Sequence, residues 1–196
     1  MSEKSKREPY VSETPMTYGD YAAMPDDGFR YELVNSRLEL MSPGPTSVHQ
    51  FCLEAIRDVI MRSCENDYII MYAPLDVILS ETDVRQPDLL AIHRSRKEII
   101  KLRGVFGAPD LVVEILSRGS VKRDRKEKLD TYSRYAVPEY WLIDPMGGTL
   151  EQYLPMDGAL RLYEVCEGEA TVVSPHLACV AFTMAQVMAQ VPNITD

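Results

Sequence analysis

The sequence contains no long apolar run, and no segment approaches the roughly 20 residues of a membrane-spanning helix. The N-terminal residues 1–8 are polar and lack the apolar segment of a secretory signal peptide. Internal repeats and low-complexity tracts are also absent. These absences predict a cytoplasmic protein with no membrane partner.

Cysteine is sparse and unclustered. The four cysteines, at positions 52, 64, 166 and 179, include no C-x-x-C pair, which argues against a zinc site. Cys52 and Cys64 are predicted on one helix, where twelve residues separate them by about 18 Å, too far for a disulfide. We therefore expect both to be reduced and half-buried.

Positive charge is in short supply, since 21 Lys and Arg face 30 Asp and Glu, for a net charge of −9. Proteins that coat nucleic acid are usually basic, so this composition argues against that class. The basic residues are nevertheless concentrated in residues 94–103 and 118–134, the second run holding seven Lys or Arg against three acids. Each run is either a solvated helix face or a local phosphate contact.

The chain length of 196 residues suits one domain, which we place at residues 15–196 behind a flexible arm over residues 1–14. Patterning predicts a hairpin around Asn35-Ser36, a helix from the cap Ser47 to Cys64 and a final helix capped by Thr183. Between these lie predicted strands at 68–72, 75–79, 86–92, 110–116 and 139–144, a helix over 121–135, a hairpin of 149–154 with 160–166, and a short strand at 170–173. The pattern indicates an α+β fold with a mixed β-sheet and a few helices.

Two carboxylates stand out because of the strands that carry them. Glu114 interrupts a short apolar strand that should be buried, where an ionised group needs a cation or a hydrogen-bond donor. Asp88 follows a proline and begins another strand. If the two strands are neighbours, the carboxylates can face each other at about 5 Å and repel. Either one of them then stays protonated, or a divalent cation such as Mg²⁺ or Mn²⁺ lies between them. The alternative for Glu114 is a simple ion pair with an arginine.

Six short motifs follow one another along the chain. They are Tyr31-Glu32-Leu33-Val34, Ser42-Pro43 with His49, Gln86-Pro87-Asp88-Leu89, Ala108 to Ser117, Asp124 with Lys128 and Tyr132, and Val137 to Pro145. The ordered set resembles the Uma2 family (DUF820) of restriction endonuclease-like proteins in the PD-(D/E)xK nuclease superfamily. This resemblance covers residues 17–190 in outline. It implies a restriction endonuclease-like core, with a mixed β-sheet flanked by helices and an N-terminal β-hairpin.

The resemblance also implies a catalytic site. Asp88 and Glu114 match the metal-binding acids, and Glu32 matches the acid that helps complete the metal site. The superfamily lysine belongs two residues after Glu114, where this chain has Leu116. Lys128, on the following helix, is the expected substitute. The alternative for Lys128 is an ordinary surface pair with Asp124, four residues earlier.

Other polar residues of these motifs have expected supporting roles. His49 lies on the apolar face of its helix and is either a core histidine or a group that supports the site. Gln86, Asp124 and Tyr132 are further candidates for such support. Candidate phosphate contacts are basic residues of the run after Glu114, namely Arg118, Lys122, Arg123 and Arg125.

The function that follows is hydrolysis of nucleic-acid phosphodiester bonds, in the first place of DNA, with Mg²⁺ or Mn²⁺ as cofactor. Two alternatives remain open: an inactive nuclease-fold module that binds nucleic acid or protein, and a structural oligomer that binds no ion. A homodimer is plausible because cutting both strands of a duplex calls for two sites.

Overall fold

Two mixed β-sheets of six strands each organise the chain. The fold comes from a computed structural model that describes residues 9–10, 12, 14–41, 44–117 and 123–194. The first sheet has the order β2-β1-β5-β4-β8-β7 and the second the order β12-β11-β10-β9-β6-β3. Their strands are β1 (Tyr31–Val34), β2 (Arg37–Leu40), β3 (Tyr68–Tyr72), β4 (Val77–Ser80), β5 (Asp83–Arg85), β6 (Leu89–His93), β7 (Ile100–Lys101), β8 (Gly104–Phe106), β9 (Leu111–Ile115), β10 (Tyr140–Asp144), β11 (Thr149–Met156) and β12 (Ala159–Glu167).

Helices and one small ribbon complete the described chain. They are α1 (Tyr18–Ala22), α2 (Ser47–Cys64), a 3₁₀ helix (Arg94–Ile99), a π-helical segment (Arg123–Lys128), α3 (Leu129–Arg134) and α4 (Met184–Met188), with a ribbon of β13 (Thr171–Val173) and β14 (Ala181–Thr183). The expected α+β fold with mixed sheets and few helices is confirmed. No helix among the described residues is long and apolar enough to cross a membrane.

The second sheet contains the core strands that position the site. β9 runs parallel to β10 and antiparallel to β6, and every residue of β9 is buried. One face of this sheet packs against α2 and α4 in the largest hydrophobic core, in which Ile56 and Trp141 are fully buried. The short β-branched run around Glu114 therefore lies at the centre of a sheet, as its composition predicts.

The N-terminal hairpin is confirmed as a two-residue turn between β1 and β2. Asn35 and Ser36 both adopt positive φ, at 48° and 65°, which matches the twist of a tight hairpin. β1 also pairs with β5, so the hairpin that carries Glu32 is joined to the strand that leads into Gln86 and Asp88.

Several boundaries differ from the sequence prediction. Thr46, and not Ser47, caps α2, because the Thr46 hydroxyl accepts the hydrogen bond from the His49 backbone N–H. The strand expected at 86–92 starts only at Leu89, since the proline at position 87 follows the end of β5. The helix expected over 121–135 is π-helical before it becomes α3, and its first residues lie outside the described part of the chain.

The cysteines require a correction. Cys64 forms a disulfide with Cys179, at a Cα–Cα distance of 5.2 Å, so Cys64 is not the reduced residue that we expected. The helical spacing excluded only Cys52 as its partner, whereas the true partner lies 115 residues away in sequence. Cys52 and Cys166 are free thiols, and both are buried rather than half-buried.

Candidate active site

The strand that follows Asp88 and the strand that carries Glu114 are neighbours, which is the condition under which the two carboxylates can meet. β6 pairs with β9 so that Leu89 is opposite Val113, which brings Asp88, one residue before β6, beside the end of β9. The Asp88 Oδ2 atom accepts a hydrogen bond of 2.8 Å from the backbone N–H of Ile115. The sheet register therefore fixes the position of the Asp88 carboxylate relative to the Glu114 strand.

The Glu114 carboxylate is almost completely buried, with 2% of the residue exposed. The Tyr132 hydroxyl donates a 2.8 Å hydrogen bond to Oε1, and Lys128 Nζ lies 2.7 Å from Oε2. Burial raises the pKa of Glu114 to about 8, and the charges of Asp88 and Asp124 add to this effect, while Lys128 opposes it. The ion-pair partner of Glu114 among the described residues is thus a lysine and not an arginine.

Lys128 is buried and stands at the centre of a group of acids. In addition to Glu114, its Nζ atom lies 3.6 Å from Asp124 Oδ1 and 3.9 Å from Glu32 Oε1. Burial by itself would lower the pKa of Lys128, but these carboxylates outweigh it and raise that pKa above its ordinary value. The ammonium group therefore stays charged at neutral pH. The alternative of an ordinary surface pair with Asp124 is wrong, because only 3% of Lys128 is exposed.

Glu32 is held by other groups on both of its oxygens. Arg85 Nη1 lies 3.1 Å from Oε2, and the backbone N–H of Gln86 donates a 2.9 Å hydrogen bond to Oε1. Burial acts to raise the pKa of Glu32, but Lys128 and Arg85 outweigh it and lower that pKa. Arg85 is itself buried and also donates to the Thr131 hydroxyl. These contacts fit a counterion for two buried cations better than a metal ligand.

Arg85 is a site residue that the sequence reasoning missed. The sequence does mark this position, because Arg85 is a charged residue between a buried valine and the Gln86-Pro87-Asp88 motif. Its partner Glu32 lies 53 residues away in sequence, so the pairing itself could not be read from local spacing.

His49 supports Asp88. Its Nε2 atom lies 3.0 Å from Asp88 Oδ2, and only 5% of the histidine is exposed. Burial acts to raise the pKa of Asp88, but the hydrogen bond and charge of His49 outweigh it and lower that pKa. His49 is therefore both a buried histidine on the core face of α2 and a side chain that contacts the site through Asp88.

The remaining predicted residues separate into three groups. Gln86, Asp124 and Arg123 line the same cleft as Asp88 and Glu114. Arg125 does not line it, because its guanidinium pairs with Glu151 at 2.6 Å. Arg118 and Lys122 lie outside the described residues. The basic run thus divides into a buried lysine, a cleft arginine and exposed residues rather than forming one solvated face.

The cleft itself has a volume of about 280 Å³. His49, Asp88, Glu114 and Lys128 line it, and Arg30 and Arg123 contribute positive charge. Arg30 was not predicted, since an exposed arginine before a strand gives no local signal. The Nε atom of Arg123 is buried and has no hydrogen-bond partner among the described residues. A buried donor without a partner suits an anionic ligand such as a phosphate.

The donors of the cleft fit a hard divalent cation only in part. No group of three or more His, Cys, Asp and Glu side chains within the described ranges is arranged to hold a metal ion. Asp88 and Glu114 do offer carboxylate oxygens to the cleft, and Mg²⁺ is commonly held by one or two carboxylates with waters. Burial is the main cause of the raised pKa of Glu114, and a bound cation would favour the ionised carboxylate there. Glu32 does not line the cleft.

Comparison with known proteins agrees with this architecture. Residues 18–185 match the model of the Uma2 family, described as "Putative restriction endonuclease". A solved structure of a "putative nuclease belonging to DUF820" from Anabaena variabilis ATCC 29413 has a TM-score of 0.75 and 19% sequence identity, and the match covers 91% of this chain and 100% of that one. No match to the chain is found among curated proteins. Since the family model spans most of the sequence, the chain belongs to the Uma2 family.

Proposed function

We propose that this protein is a nuclease that hydrolyses phosphodiester bonds of nucleic acid with the help of Mg²⁺ or Mn²⁺. The observation that carries the proposal is the buried Lys128 ammonium 2.7 Å from Glu114, in a cleft that Asp88 also lines. A lysine beside two acids is the residue combination expected of the superfamily that the motifs resemble. DNA is the substrate that we test first.

Asp88 and Glu114 are the residues that would hold the cation, together with the backbone carbonyl of Ile115. When bound, such a cation would polarise the scissile phosphate and lower the pKa of a bound water. The role of Lys128 is to orient the attacking water or to stabilise the charge that develops on the phosphate. His49 and Tyr132 hold Asp88 and Glu114 through the hydrogen bonds described above.

Glu32 and Arg85 act on Lys128 rather than on the cation. Glu32 Oε1 lies 3.9 Å from Lys128 Nζ, and Arg85 fixes the other oxygen of the same carboxylate. Glu32 therefore keeps Lys128 charged and in place. Asp124, 3.6 Å from Nζ, adds to this effect.

Arg30 and Arg123 are the proposed phosphate contacts of the described cleft. They supply local positive charge that offsets the acidic body of the protein, with its net charge of −9. Arg118 and Lys122 remain candidates for the same role. Arg125 is less suitable, because Glu151 already neutralises its charge.

The competing function is a nuclease-fold module that binds nucleic acid without cutting it. The observation in its favour is that the three acids lining the cleft, Asp88, Glu114 and Asp124, are not arranged as a metal-binding group within the described residues, so a complete metal site depends on waters and a backbone carbonyl. Binding without cleavage is the result that this alternative predicts.

Cleavage assays separate the two functions. Supercoiled plasmid and labelled single strands are incubated with Mg²⁺, with Mn²⁺ and with chelator, using wild type, Asp88→Asn, Glu114→Gln and the exposed control Glu164→Gln. We expect metal-dependent cleavage that falls at least about 100-fold in the two cleft variants and is unchanged in the control. Equal inactivity of all four proteins, with nucleic acid still bound, would support the binding module instead.

A further inference from the structure

A second cavity adjoins the proposed active cleft. It has a volume of about 390 Å³ and lies between α1, β1 and the residues before β4. Arg30 and Gln86 line both this cavity and the cleft, so the two spaces lie side by side at these side chains. Gln86 is also two residues from Asp88. A ligand held in the cleft can therefore extend into the second cavity.

The walls of this cavity are unusually aromatic. Aromatic side chains contribute much of the lining, namely Tyr18, Tyr21, Phe29 and Tyr31. Phe29 is 37% exposed, although large apolar side chains usually gain from burial. Aromatic rings beside a nucleic-acid site commonly stack on unpaired bases.

The Asp76 carboxylate provides a hydrogen-bond acceptor in the lining of the cavity. Asp76 Oδ1 accepts hydrogen bonds from the Tyr21 hydroxyl at 3.0 Å and from Gln86 Nε2 at 2.8 Å. Its Oδ2 atom accepts none from the residues that the structure describes. Burial raises the pKa of Asp76, as expected for an acceptor that lies partly out of water and has a free oxygen. A ligand with an N–H donor would satisfy that oxygen.

Two arginines supply positive charge at this cavity. Arg30 donates to the neutral amide oxygen of Gln86, at 2.6 Å, and Arg103 donates to the backbone carbonyl of Ala22. Neither forms an ion pair with a carboxylate of the described residues, so each guanidinium keeps its net charge. Arg30 lies where the cavity meets the cleft and is placed to contact a phosphate that connects the two.

We propose that this cavity holds the base of a nucleotide adjacent to the scissile phosphate, and that Asp76 selects bases with an exocyclic amino group. Cytosine, adenine and guanine carry such a group, whereas thymine and uracil present a carbonyl that would repel a carboxylate oxygen. A base has to leave the stack of a duplex to enter a cavity, so the substrate is single-stranded or locally opened nucleic acid. The inference rests on the proposed function for the position of the scissile phosphate.

Homopolymers test this preference, because the same base occupies the cavity wherever the oligonucleotide binds. Labelled oligo(dC) and oligo(dT) of about 12 nucleotides are titrated with wild type, Asp76→Asn, Phe29→Ala and the control Tyr163→Ala, in chelator at pH 7.5. Tyr163 is also an exposed aromatic, on β12, but it does not line the cavity. Cytosine has an amino group at C4 where thymine has the carbonyl group that Asp76 would meet, and thymine also carries a proton on N3 and a methyl group on C5.

Wild type should bind oligo(dC) at least about fivefold more tightly than oligo(dT). Asp76→Asn can keep its inner acceptor and place an NH₂ group in the cavity, so this preference should disappear or reverse. Phe29→Ala should weaken both complexes to a similar degree, because stacking tolerates any base, and Tyr163→Ala should change neither.

Equal binding of the two homopolymers by wild type, or no binding of either, would overturn the inference even if Asp76→Asn failed to fold. The cleavage assay reports separately on the proposed function. Cleavage without a base preference contradicts only the base-binding cavity. A base preference without cleavage supports the cavity and contradicts the nuclease.

Discussion

At the scale of single residues, the proposed chemistry depends on a lysine that lies outside the strand motif of the superfamily. The strand position that should carry a lysine holds Leu116, which is buried. Lys128 reaches Glu114 from the following helix instead. The chemistry thus depends on the position of an ammonium group in space, and that position can be supplied by a different element of the chain.

Replacement of this lysine should separate catalysis from metal binding. Lys128→Gln is expected to lower the cleavage rate about 100-fold, because a positioned charge beside the phosphate is lost. Binding of Mn²⁺ should be unchanged or stronger, since a competing cation has left Glu114. Lys126→Gln, an exposed lysine of the same segment, serves as the matched control. A Lys128→Gln protein with the wild-type rate would refute the role that we give to this residue.

The pair of His49 and Asp88 predicts how the protein responds to acid. The lowered pKa of Asp88 contributes stability that is present above its ordinary pKa of 3.8 and is lost as the pH falls through the lowered value. His49→Ala removes the main cause of this lowering. The variant should therefore unfold at a higher pH than wild type in an acid titration followed by circular dichroism. The same midpoint in both proteins would show that the contact does not stabilise the folded state.

At the scale of elements, α2 matters because it delivers His49 to the site. Its start is fixed by Thr46, whose hydroxyl accepts from the His49 backbone N–H at 3.3 Å. The apolar spacing of the helix predicted its extent and its buried face from sequence. It did not distinguish Thr46 from Ser47, because both are good capping residues and only the backbone conformation decides between them.

Two alanine substitutions test this assignment. Thr46→Ala should reduce the free energy of unfolding by about 1 kcal/mol, since an N-terminal backbone donor loses its acceptor. Ser47→Ala removes the neighbouring hydroxyl and should have little effect, because Ser47 is the first residue inside the helix. Urea denaturation of the two variants provides the comparison. An equal loss in both variants, or a larger loss in Ser47→Ala, would be inconsistent with the cap.

The disulfide ties the end of α2 to the segment before β14. It closes a span of 115 residues, and loops of this length give a large entropic stabilisation. Such a bond is rare in the reducing cytosol, and the cytoplasmic location expected from the sequence stays a prediction.

Thiol titration decides whether the bond is present in the protein as purified. In denaturant and without reductant, we expect two reactive thiols, Cys52 and Cys166, and four after reduction. Cys64→Ser should lose about 2–4 kcal/mol of stability only under non-reducing conditions. Four reactive thiols before reduction would show that the bond is absent.

At the scale of the whole molecule, the sequence predicted the fold and the two central acids but not their surroundings. Asp88 and Glu114 could be paired because strand patterning and motif order place their strands close in the chain. The roles of Arg85, Arg30 and Asp76 could not be predicted, since their partners come from distant segments and lie on different elements. The disulfide of Cys179 with Cys64 was not predicted for the same reason. Local periodicity predicts elements, whereas ion pairs and cavities depend on how the elements meet.

An acidic protein can bind a polyanion when the binding site differs in charge from the rest of the molecule. The cleft brings Lys128, Arg30 and Arg123 together with three acids, so the local balance of charge is more positive there than in the chain as a whole, which carries −9. Phosphate binding would thus depend on local charge rather than on net charge. A homodimer remains a prediction that the chain described here does not address.

Calorimetric titration of Mn²⁺ into wild type, Glu114→Gln and Glu32→Gln, each first checked for native folding, tests which of the two acids holds the cation. We assign Glu114 to the cation and Glu32 to Lys128 and Arg85. We therefore expect one Mn²⁺ site in wild type, loss of that site in Glu114→Gln, and a change of less than about tenfold in the Mn²⁺ affinity of Glu32→Gln. No Mn²⁺ binding by wild type, or equal loss in both variants, would contradict the site as we have described it.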